Sequence, residues 1–158
     1  TPMVNTAEDA IKIIKSSKYP PGGIRGASFG FAHDSYNNQN PLSYIKKANK
    51  ELINIIQIET KLGLENVEAI SSIKGVDCLW VGHFDLTNFL GIPGDFYSSI
   101  YIDAIKRIVE AGKKTKKSLG IMVNNKDEIE MYTSLGFNMI AVGTEMNILT
   151  RSISEIIS

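Results

Sequence analysis

The sequence lacks three features that would point to particular classes of protein. It has one cysteine in 158 residues, Cys78, which excludes an internal disulfide and a multi-cysteine zinc site. It has no apolar run near the roughly 18–20 residues that a membrane-spanning helix needs. Neither charge is in excess, because lysine plus arginine and aspartate plus glutamate both number 17. We therefore expect a cytoplasmic protein whose partners include neither nucleic acid nor a membrane.

What is present is the composition of an ordinary globular domain. Hydrophobic residues make up 43% of the chain and charged residues 22%, which suits one domain with a single sizeable core. We treat residues 1–158 as that domain. The chain starts with Thr-Pro-Met-Val at 1–4 instead of an initiator methionine, and Met3-Val4 resembles the end of a strand that began earlier. The sequence thus predicts an incomplete domain.

Short apolar runs alternate with helical patterns along most of the chain. Thr6 is placed to cap a first helix that cannot continue through Pro20-Pro21. Asn37-Asn38-Gln39-Asn40 predicts an exposed loop, and Asn40-Pro41 predicts the start of a second helix. Strands are then predicted at 52–58, 76–81, 119–123 and 139–142, and helices at 66–74, 101–116, 126–135 and 147–157.

This alternation implies right-handed βαβ units around a buried parallel sheet. Two architectures remain open. A doubly wound sheet of five strands would be complete in 158 residues, whereas a (β/α)8 barrel needs about 200–250 residues. Length alone favours the doubly wound sheet, because this chain would supply about five of the eight units of a barrel.

Two carboxylates follow neighbouring predicted strands. In both architectures the chemistry collects at the carboxyl ends of the strands, and Glu59 and Asp85 occupy such positions. Adjacent strands lie about 4.8 Å apart, so the two side chains can meet at one rim. Two carboxylates plus several waters are a common way to hold Mg²⁺ or Mn²⁺. Spacing alone favours the alternative, in which both are solvated loop acids or Asp85 caps a helix starting at Leu86.

Four ordered motifs resemble the HpcH/HpaI aldolase family, which includes 2-keto-3-deoxy sugar-acid aldolases and 4-hydroxy-2-oxoheptanedioate aldolase. They are Tyr-Pro-Pro-Gly-Gly-Ile-Arg-Gly at 19–26, Gln-Ile-Glu-Thr at 57–60, Gly-Val-Asp at 75–77 and Gly-His-Phe-Asp-Leu at 82–86. The likeness covers essentially the whole chain. It implies a partial (β/α)8 barrel of the phosphoenolpyruvate/pyruvate-binding type, with strands four to eight, and reverses the preference drawn from length.

The resemblance also implies an activity, that of a carbon–carbon lyase. The expected enzyme is a metal-dependent class II aldolase that cleaves a 4-hydroxy-2-keto acid to pyruvate, or a related keto acid, plus an aldehyde. The resemblance implies that Glu59 and Asp85 bind a divalent metal ion, Mg²⁺, Mn²⁺ or Co²⁺. It also implies that Gln57 and the backbone around Phe84 and Asp85 contact the pyruvate portion of the substrate. Met122 is expected to face the aldehyde side, with core packing as the alternative.

Relatives assemble as hexamers, so a homo-oligomer is expected, and the near-zero net charge does not oppose it. The chain departs from the family at His83, which replaces the proline of the GPxDL motif. The family's general-base histidine, its aspartate and its arginine resemble residues on earlier strands, and no residue of this chain is matched to them. His83, beside a metal carboxylate, is a candidate base, but a solvent-facing or hydrogen-bonded histidine is the favoured interpretation. A second hypothesis is therefore a truncated or degenerate homologue that binds metal or keto acid, or serves in assembly, without turnover.

Overall fold

The computed structural model of this protein describes residues 1–36 and 40–157. The exposed loop predicted at Asn37-Asn38-Gln39 lies outside the described residues. The helices and strands are α1 (Ala7–Ser17), α2 (Pro41–Glu51), β1 (Ile55–Ile58), α3 (Lys61–Glu65), α4 (Val67–Ser72), β2 (Cys78–Val81), α5 (His83–Phe89), α6 (Ser99–Thr115), β3 (Ser118–Val123), α7 (Lys126–Leu135), β4 (Met139–Val142) and α8 (Glu145–Ile157).

Local side chains start and end several of these helices where the sequence predicts. Thr6 Oγ1 accepts a hydrogen bond from the Asp9 N–H at 3.1 Å, and the Asp9 carboxylate accepts one from the Thr6 N–H at 3.1 Å. This reciprocal capping box begins α1. The Asn40 side chain caps α2 ahead of Pro41, and Gly136 ends α7 in the left-handed conformation, with φ of 108°.

The order of the strands distinguishes between the two architectures. The described residues form one four-stranded parallel sheet in the order β1-β2-β3-β4, so that each strand pairs with the next one along the chain. A doubly wound sheet reverses its strand order at a switch point, and a barrel wall does not. The sheet therefore forms part of a barrel wall. The preference drawn from length is wrong, and the partial barrel implied by the resemblance is confirmed.

The N-terminal segment differs from its prediction, because Met3-Val4 is not a strand. The Thr1 amino group donates a hydrogen bond to the Ile55 carbonyl at 2.8 Å, and the Thr1 carbonyl accepts one from the Gln57 N–H at 3.0 Å. Pairing with β1 stops there, since Met3 has a φ of 56° and turns the chain out of the extended conformation.

The helix predicted at 66–74 is present as α4, and a short helix that was not predicted, α3, precedes it. The Thr60 hydroxyl accepts a hydrogen bond from the Gly63 N–H at 2.9 Å, and this cap starts α3 directly after β1. Asn66, with φ of −104° and ψ of 9°, then separates α3 from α4. The helix given as an alternative after β2, starting at Leu86, is present as α5 but begins earlier, at His83.

The core lies between the sheet and the helices that cover one of its faces. Alternate strand residues are almost completely buried in it, which the period of two in a strand explains; they are Ile56, Ile58, Leu79, Val81, Leu119, Ile121 and Val123. They pack with apolar residues of α4 and α6, such as Ile70 and Ile108, which are fully buried. No helix in the described ranges has both the length and the hydropathy that crossing a membrane requires.

Candidate functional site

Glu59 is the first residue beyond β1 and one of the few buried charged side chains, with 2% of its surface exposed. Two donors hold its carboxylate. The Met3 N–H donates to Oε1 at 2.6 Å, and Gln57 Nε2 donates to Oε2 at 2.6 Å. The alternative of a solvated loop acid is wrong for Glu59, because its side chain is enclosed.

Gly82 is the point at which Glu59 meets the next strand. Ile58 pairs with Val81, so Glu59 and Gly82 follow their strands at the same height. A Cβ atom at Gly82 would lie 2.5 Å from Glu59 Oε2 and 2.6 Å from Gln57 Nε2. Real carbon–oxygen contacts are about 1 Å longer than this. The close approach of both side chains therefore requires glycine here.

Asp85 lies three residues beyond Gly82, in the first turn of α5, and its side chain is exposed. The helix begins at His83, and no side chain caps it. The alternative that Asp85 caps a helix starting at Leu86 is therefore wrong. A carboxylate in the first turn is favourable with the helix dipole. The fold thus places the buried carboxylate of Glu59 against the same β2–α5 connection that carries the exposed carboxylate of Asp85.

These residues suit a divalent cation bound mainly by water or substrate. Within 1–36 and 40–157, no group of three or more His, Cys, Asp or Glu side chains could enclose a metal, and Glu59 makes no ion pair with a basic side chain there. A buried carboxylate without a counter-ion carries a desolvation cost that a bound cation offsets. Hard cations such as Mg²⁺ commonly take one or two carboxylates and keep several waters.

His83 is half-buried and packs among aromatic rings. Its ring centroid lies 4.8 Å from that of Phe84 and 5.0 Å from that of Phe96. Burial lowers the pKa of His83 below its ordinary value, and the nearby Glu128 carboxylate only partly opposes this. Burial thus favours the neutral imidazole, which has one nitrogen able to accept a proton.

Phe84 and Met122 lie on the side of the site away from β1. Phe84 is 59% exposed, and its ring lies 5.1 Å from that of Phe96. Met122 is half-buried near the end of β3 and lines, with His83, a cavity of about 780 Å³. The core-packing alternative for Met122 is wrong, because the core contains its neighbours Ile121 and Val123 instead.

Two contributors were not found from the sequence. The Met3 backbone N–H reaches Glu59 from 56 residues away, and a backbone donor leaves no mark in a residue pattern. Gly82 is the first residue of the Gly-His-Phe-Asp-Leu motif at 82–86, so the sequence marks its position. Its close contact with Glu59 depends on strand register, which the motif does not indicate.

Comparisons with known proteins identify the family to which this chain belongs. The family model HpcH/HpaI aldolase/citrate lyase matches residues 1–152. A hydroxypyruvate/pyruvate aldolase of Deinococcus radiodurans is 38% identical over 156 residues, covering 96% of this chain and 54% of the relative. A 4-hydroxy-2-oxovalerate aldolase of Rhodococcus jostii is 33% identical over 159 residues, covering 98% of this chain and 59% of the relative.

Solved structures of the same fold also match this chain. A HpcH/HpaI aldolase/citrate lyase family protein from Burkholderia cenocepacia superposes with a TM-score of 0.92 at 28% identity, covering 98% of this chain and 61% of that one. Macrophomate synthase, at 23% identity and a TM-score of 0.84 over 99% of this chain and 55% of its own, shares the fold. This chain thus spans a little over half the length of these relatives. It belongs to the HpcH/HpaI aldolase/citrate lyase family.

Proposed function

We propose that this chain carries the metal and keto-acid site of a class II aldolase. The reaction is cleavage of a 4-hydroxy-2-keto acid to pyruvate, or a related keto acid, plus an aldehyde. The observation that supports it best is the buried carboxylate of Glu59, held by two donors beside the turn that carries Asp85. The names of the relatives, which are aldolases of pyruvate, hydroxypyruvate and 4-hydroxy-2-oxo acids, support the substrate class.

The cleavage breaks the bond between C3 and C4 of the keto acid. The electron pair of that bond stays on C3 as the enolate of the keto acid, and the C4 hydroxyl proton passes to a base, so that C4 becomes the aldehyde carbonyl. A proton then adds to C3 and completes pyruvate. A divalent cation, Mg²⁺, Mn²⁺ or Co²⁺, supplies Lewis-acid stabilisation of the enolate oxygen when it is bound.

The protein's own groups orient the reactants. Glu59, which is fixed by its two donors, and the exposed Asp85 would hold the cation. Gln57 donates one hydrogen of its amide nitrogen to Glu59, so the second hydrogen is available for a keto-acid oxygen. The backbone N–H groups of Phe84 and Asp85, which no side chain caps, would meet the substrate carboxylate.

His83 is the base that we propose within this chain. It starts the turn that carries Asp85, and its neutral imidazole is the form that accepts a proton. The competing hypothesis is a homologue that binds metal and keto acid without turnover.

Assembly into a homo-oligomer, with a hexamer as the expected state, is part of the same proposal. No side chain of α8 is buried, although the helix carries Ile148, Leu149 and Ile153, which are 44%, 55% and 48% exposed. Apolar side chains repeated on one helix and left in water are typical of an interface.

Proton NMR of pyruvate in D₂O with Mg²⁺ tests this function. An active enolate chemistry exchanges the methyl protons for deuterium, so the methyl signal decays. The decay is expected to require Mg²⁺ and to vanish in the double variant Glu59→Gln, Asp85→Asn. The matched control, Asp103→Asn, Glu130→Gln, makes the same charge change at exposed acids outside the site and keeps the decay.

Two results would contradict parts of the proposal. Absence of exchange above the double variant, with Mn²⁺ binding intact, would establish the binding homologue without turnover. Equal Mn²⁺ affinity in the wild type and the double variant, measured by the free Mn²⁺ signal in electron paramagnetic resonance, would remove Glu59 and Asp85 as the metal ligands.

A further inference from the structure

Met3 combines a disfavoured backbone conformation with a bond to the candidate site. Its φ of 56° lies in the left-handed region, which carries a steric cost for a residue with a Cβ atom. Its N–H donates a hydrogen bond to Glu59 Oε1 at 2.6 Å. Backbone strain of this kind persists where the surroundings hold it, and it is concentrated at functional sites. The conformation of Met3 therefore calls for an explanation in terms of Glu59.

The left-handed turn changes the partner of the Met3 N–H. The Thr1 carbonyl accepts a hydrogen bond from the Gln57 N–H at 3.0 Å, which is a contact of two parallel strands. In a regular parallel pair, the next contact would run from the Met3 N–H to the Gln57 carbonyl. The N–H bonds instead to the side chain of Glu59, two residues further along. The turn thus exchanges a backbone contact for a contact with the proposed metal ligand.

The residues on both sides of the turn are anchored. Before it, Thr1 is hydrogen-bonded to β1 through its amino group and its carbonyl. After it, Val4 is 2% exposed and belongs to the core, and the Asn5 carbonyl accepts a hydrogen bond from Asn66 Nδ2 at 2.9 Å. These contacts offset the cost of the left-handed conformation and hold Met3 in it.

The contact with Glu59 depends on the backbone of residue 3. The Met3 side chain is 48% exposed, and the donor to Glu59 is the main-chain N–H. Gln57 Nε2 donates to the other carboxylate oxygen, Oε2, at 2.6 Å, so each oxygen of Glu59 is held by one donor. An ionised carboxylate has about four acceptor positions, which leaves each oxygen able to bind a cation as well.

We propose that Met3 is a positioning residue, whose left-handed backbone turns its N–H onto Oε1 and so orients the Glu59 carboxylate for the divalent cation. The inference rests on the proposed metal function of Glu59. Groups that hydrogen-bond to a metal ligand fix its orientation, and their loss typically lowers metal affinity about 10–100-fold. The conformation of residue 3 thus favours metal binding at the expense of the stability of the fold.

Four substitutions at residue 3 separate its conformation from its side chain. Glycine and asparagine adopt the left-handed region readily, so Met3→Gly and Met3→Asn should keep the Mn²⁺ affinity of the wild type within about threefold. β-Branched residues strongly disfavour that region, so Met3→Ile and Met3→Val should bind Mn²⁺ about tenfold more weakly or worse. Electron paramagnetic resonance of free Mn²⁺ measures the affinity, and thermal unfolding establishes that each variant is folded.

Lys116→Ile is the matched control for backbone strain. Lys116 follows α6 with a φ of 57°, so the substitution places a β-branched residue in the same disfavoured region, outside the candidate site. It should lower the midpoint of thermal unfolding and leave the Mn²⁺ affinity unchanged. If Met3 had a merely structural role, Met3→Ile would behave in the same way as this control.

NMR of protein labelled with ¹⁵N-methionine tests the hydrogen bond in the absence of metal. A short bond to a carboxylate moves an amide proton downfield, so the Met3 signal should lie downfield in the wild type and move upfield in Glu59→Gln. Its loss in Met3→Gly assigns the signal. Asp85→Asn is the control, because it removes a neighbouring charge and leaves this bond in place.

Two results would overturn the inference: equal Mn²⁺ affinity in the wild type and all four folded variants, or a Met3 amide signal that Glu59→Gln leaves unmoved. A wild-type chain that binds no Mn²⁺ would refute the proposed metal function and the inference with it. The two failures are distinguishable, because the first leaves wild-type Mn²⁺ binding intact.

Discussion

At the scale of single residues, Gly82 is the position where the candidate site has the least room. The side chains of Glu59 and Gln57 both lie close to the Cα atom of Gly82, and other contacts hold both of them in place. Glu59 is also held by the Met3 N–H, and Gln57 by the strand that carries it. The hydrogen atom of glycine thus allows the buried carboxylate to lie against the connection to Asp85. We regard Gly82 as a positioning residue, because it acts through Glu59 and Gln57.

Gly82→Ala is therefore expected to weaken Mn²⁺ binding by about tenfold or more, because the new methyl group must displace Glu59 or Gln57. Titration followed by electron paramagnetic resonance measures the affinity, and thermal unfolding checks that the variant is folded. Gly26→Ala is the matched control, since a Cβ there would meet no atom within 4 Å. Equal Mn²⁺ affinity in both folded variants would contradict this role of Gly82.

At the scale of helices and strands, α6 ends in a conformation that its sequence disfavours. Lys116 at its C-terminal cap has a φ of 57°, in the left-handed region where residues with a Cβ carry a steric cost. Its N–H still reaches the last turn, bonding to the carbonyls of Gly112 and Lys113. Glycine is the residue that usually occupies such a cap.

Lys116→Gly should raise the free energy of unfolding by about 0.5–1 kcal/mol, because relief of the left-handed strain exceeds the added chain entropy. Urea denaturation measures the change. Glu110→Gly, in the exposed middle of the same helix, should instead lower the free energy of unfolding by about 0.5–1 kcal/mol. A loss of stability in Lys116→Gly would show that the lysine side chain makes a compensating contribution.

An arginine side chain joins α6 to α3 and α4. Arg107 Nε and Nη2 donate to the two carboxylate oxygens of Glu68 at 2.8 and 2.9 Å, and Nη2 also donates to the Glu65 carbonyl at 2.9 Å. The hydrogen bond from Arg107 holds the pKa of Glu68 below its ordinary value. About half of each side chain is exposed, so solvent screens the pair.

Arg107→Met should lower the free energy of unfolding by about 1 kcal/mol or less at pH 7. Because the pKa of Glu68 is lowered by folding, this contribution is present above the ordinary glutamate pKa of 4.5 and is lost as the pH falls through the lowered value. Denaturation at pH 7 and at pH 3 should show the difference from wild type shrinking in acid. Lys106→Met, which breaks an exposed pair with Asp103 on the same helix, should show a smaller effect at pH 7.

At the scale of the whole molecule, the four-stranded wall presents surfaces that a closed barrel would cover. On β4, Val142 is 47% exposed and the other three residues are only half-buried. The next helix, α8, has no buried side chain. Exposed apolar surface on adjoining elements is typical of a contact with further protein.

Leu149→Glu, Ile153→Glu should reduce self-association, because the two charges would enter the apolar face that we propose as an interface. Sedimentation velocity is expected to show a smaller average species than in wild type at the same concentration. Ser152→Glu, Ser154→Glu adds the same charges to exposed positions of α8 and should leave assembly unchanged. A wild-type chain that sediments as a monomer at high concentration would contradict the proposed homo-oligomer.

Much of the candidate site could be predicted, since its residues follow apolar runs and parallel strands bring such residues to one edge. Glu59 and Asp85 could be assigned to one rim for this reason, and the resemblance added their proposed roles together with that of Gln57. Four features could not be assigned in this way: the burial of Glu59, its bond from Met3, its contact with Gly82, and the cavity shared by His83 and Met122. Each depends on the packing of segments far apart in the chain.

The sequence by itself determined where most helices and strands occur, because hydrophobic period and side-chain caps such as Thr6 and Asn40 act within a few residues. Length and hydrophobic period left the doubly wound sheet and the barrel wall both open, and the strand order of the tertiary structure confirmed the barrel that the resemblance implies, since strand order is a matter of long-range pairing. The tertiary structure alone decided that Glu59 is enclosed while Asp85 is exposed. Two carboxylates that look alike in the sequence thus differ because one follows its strand directly and the other lies on the turn of a helix beyond it.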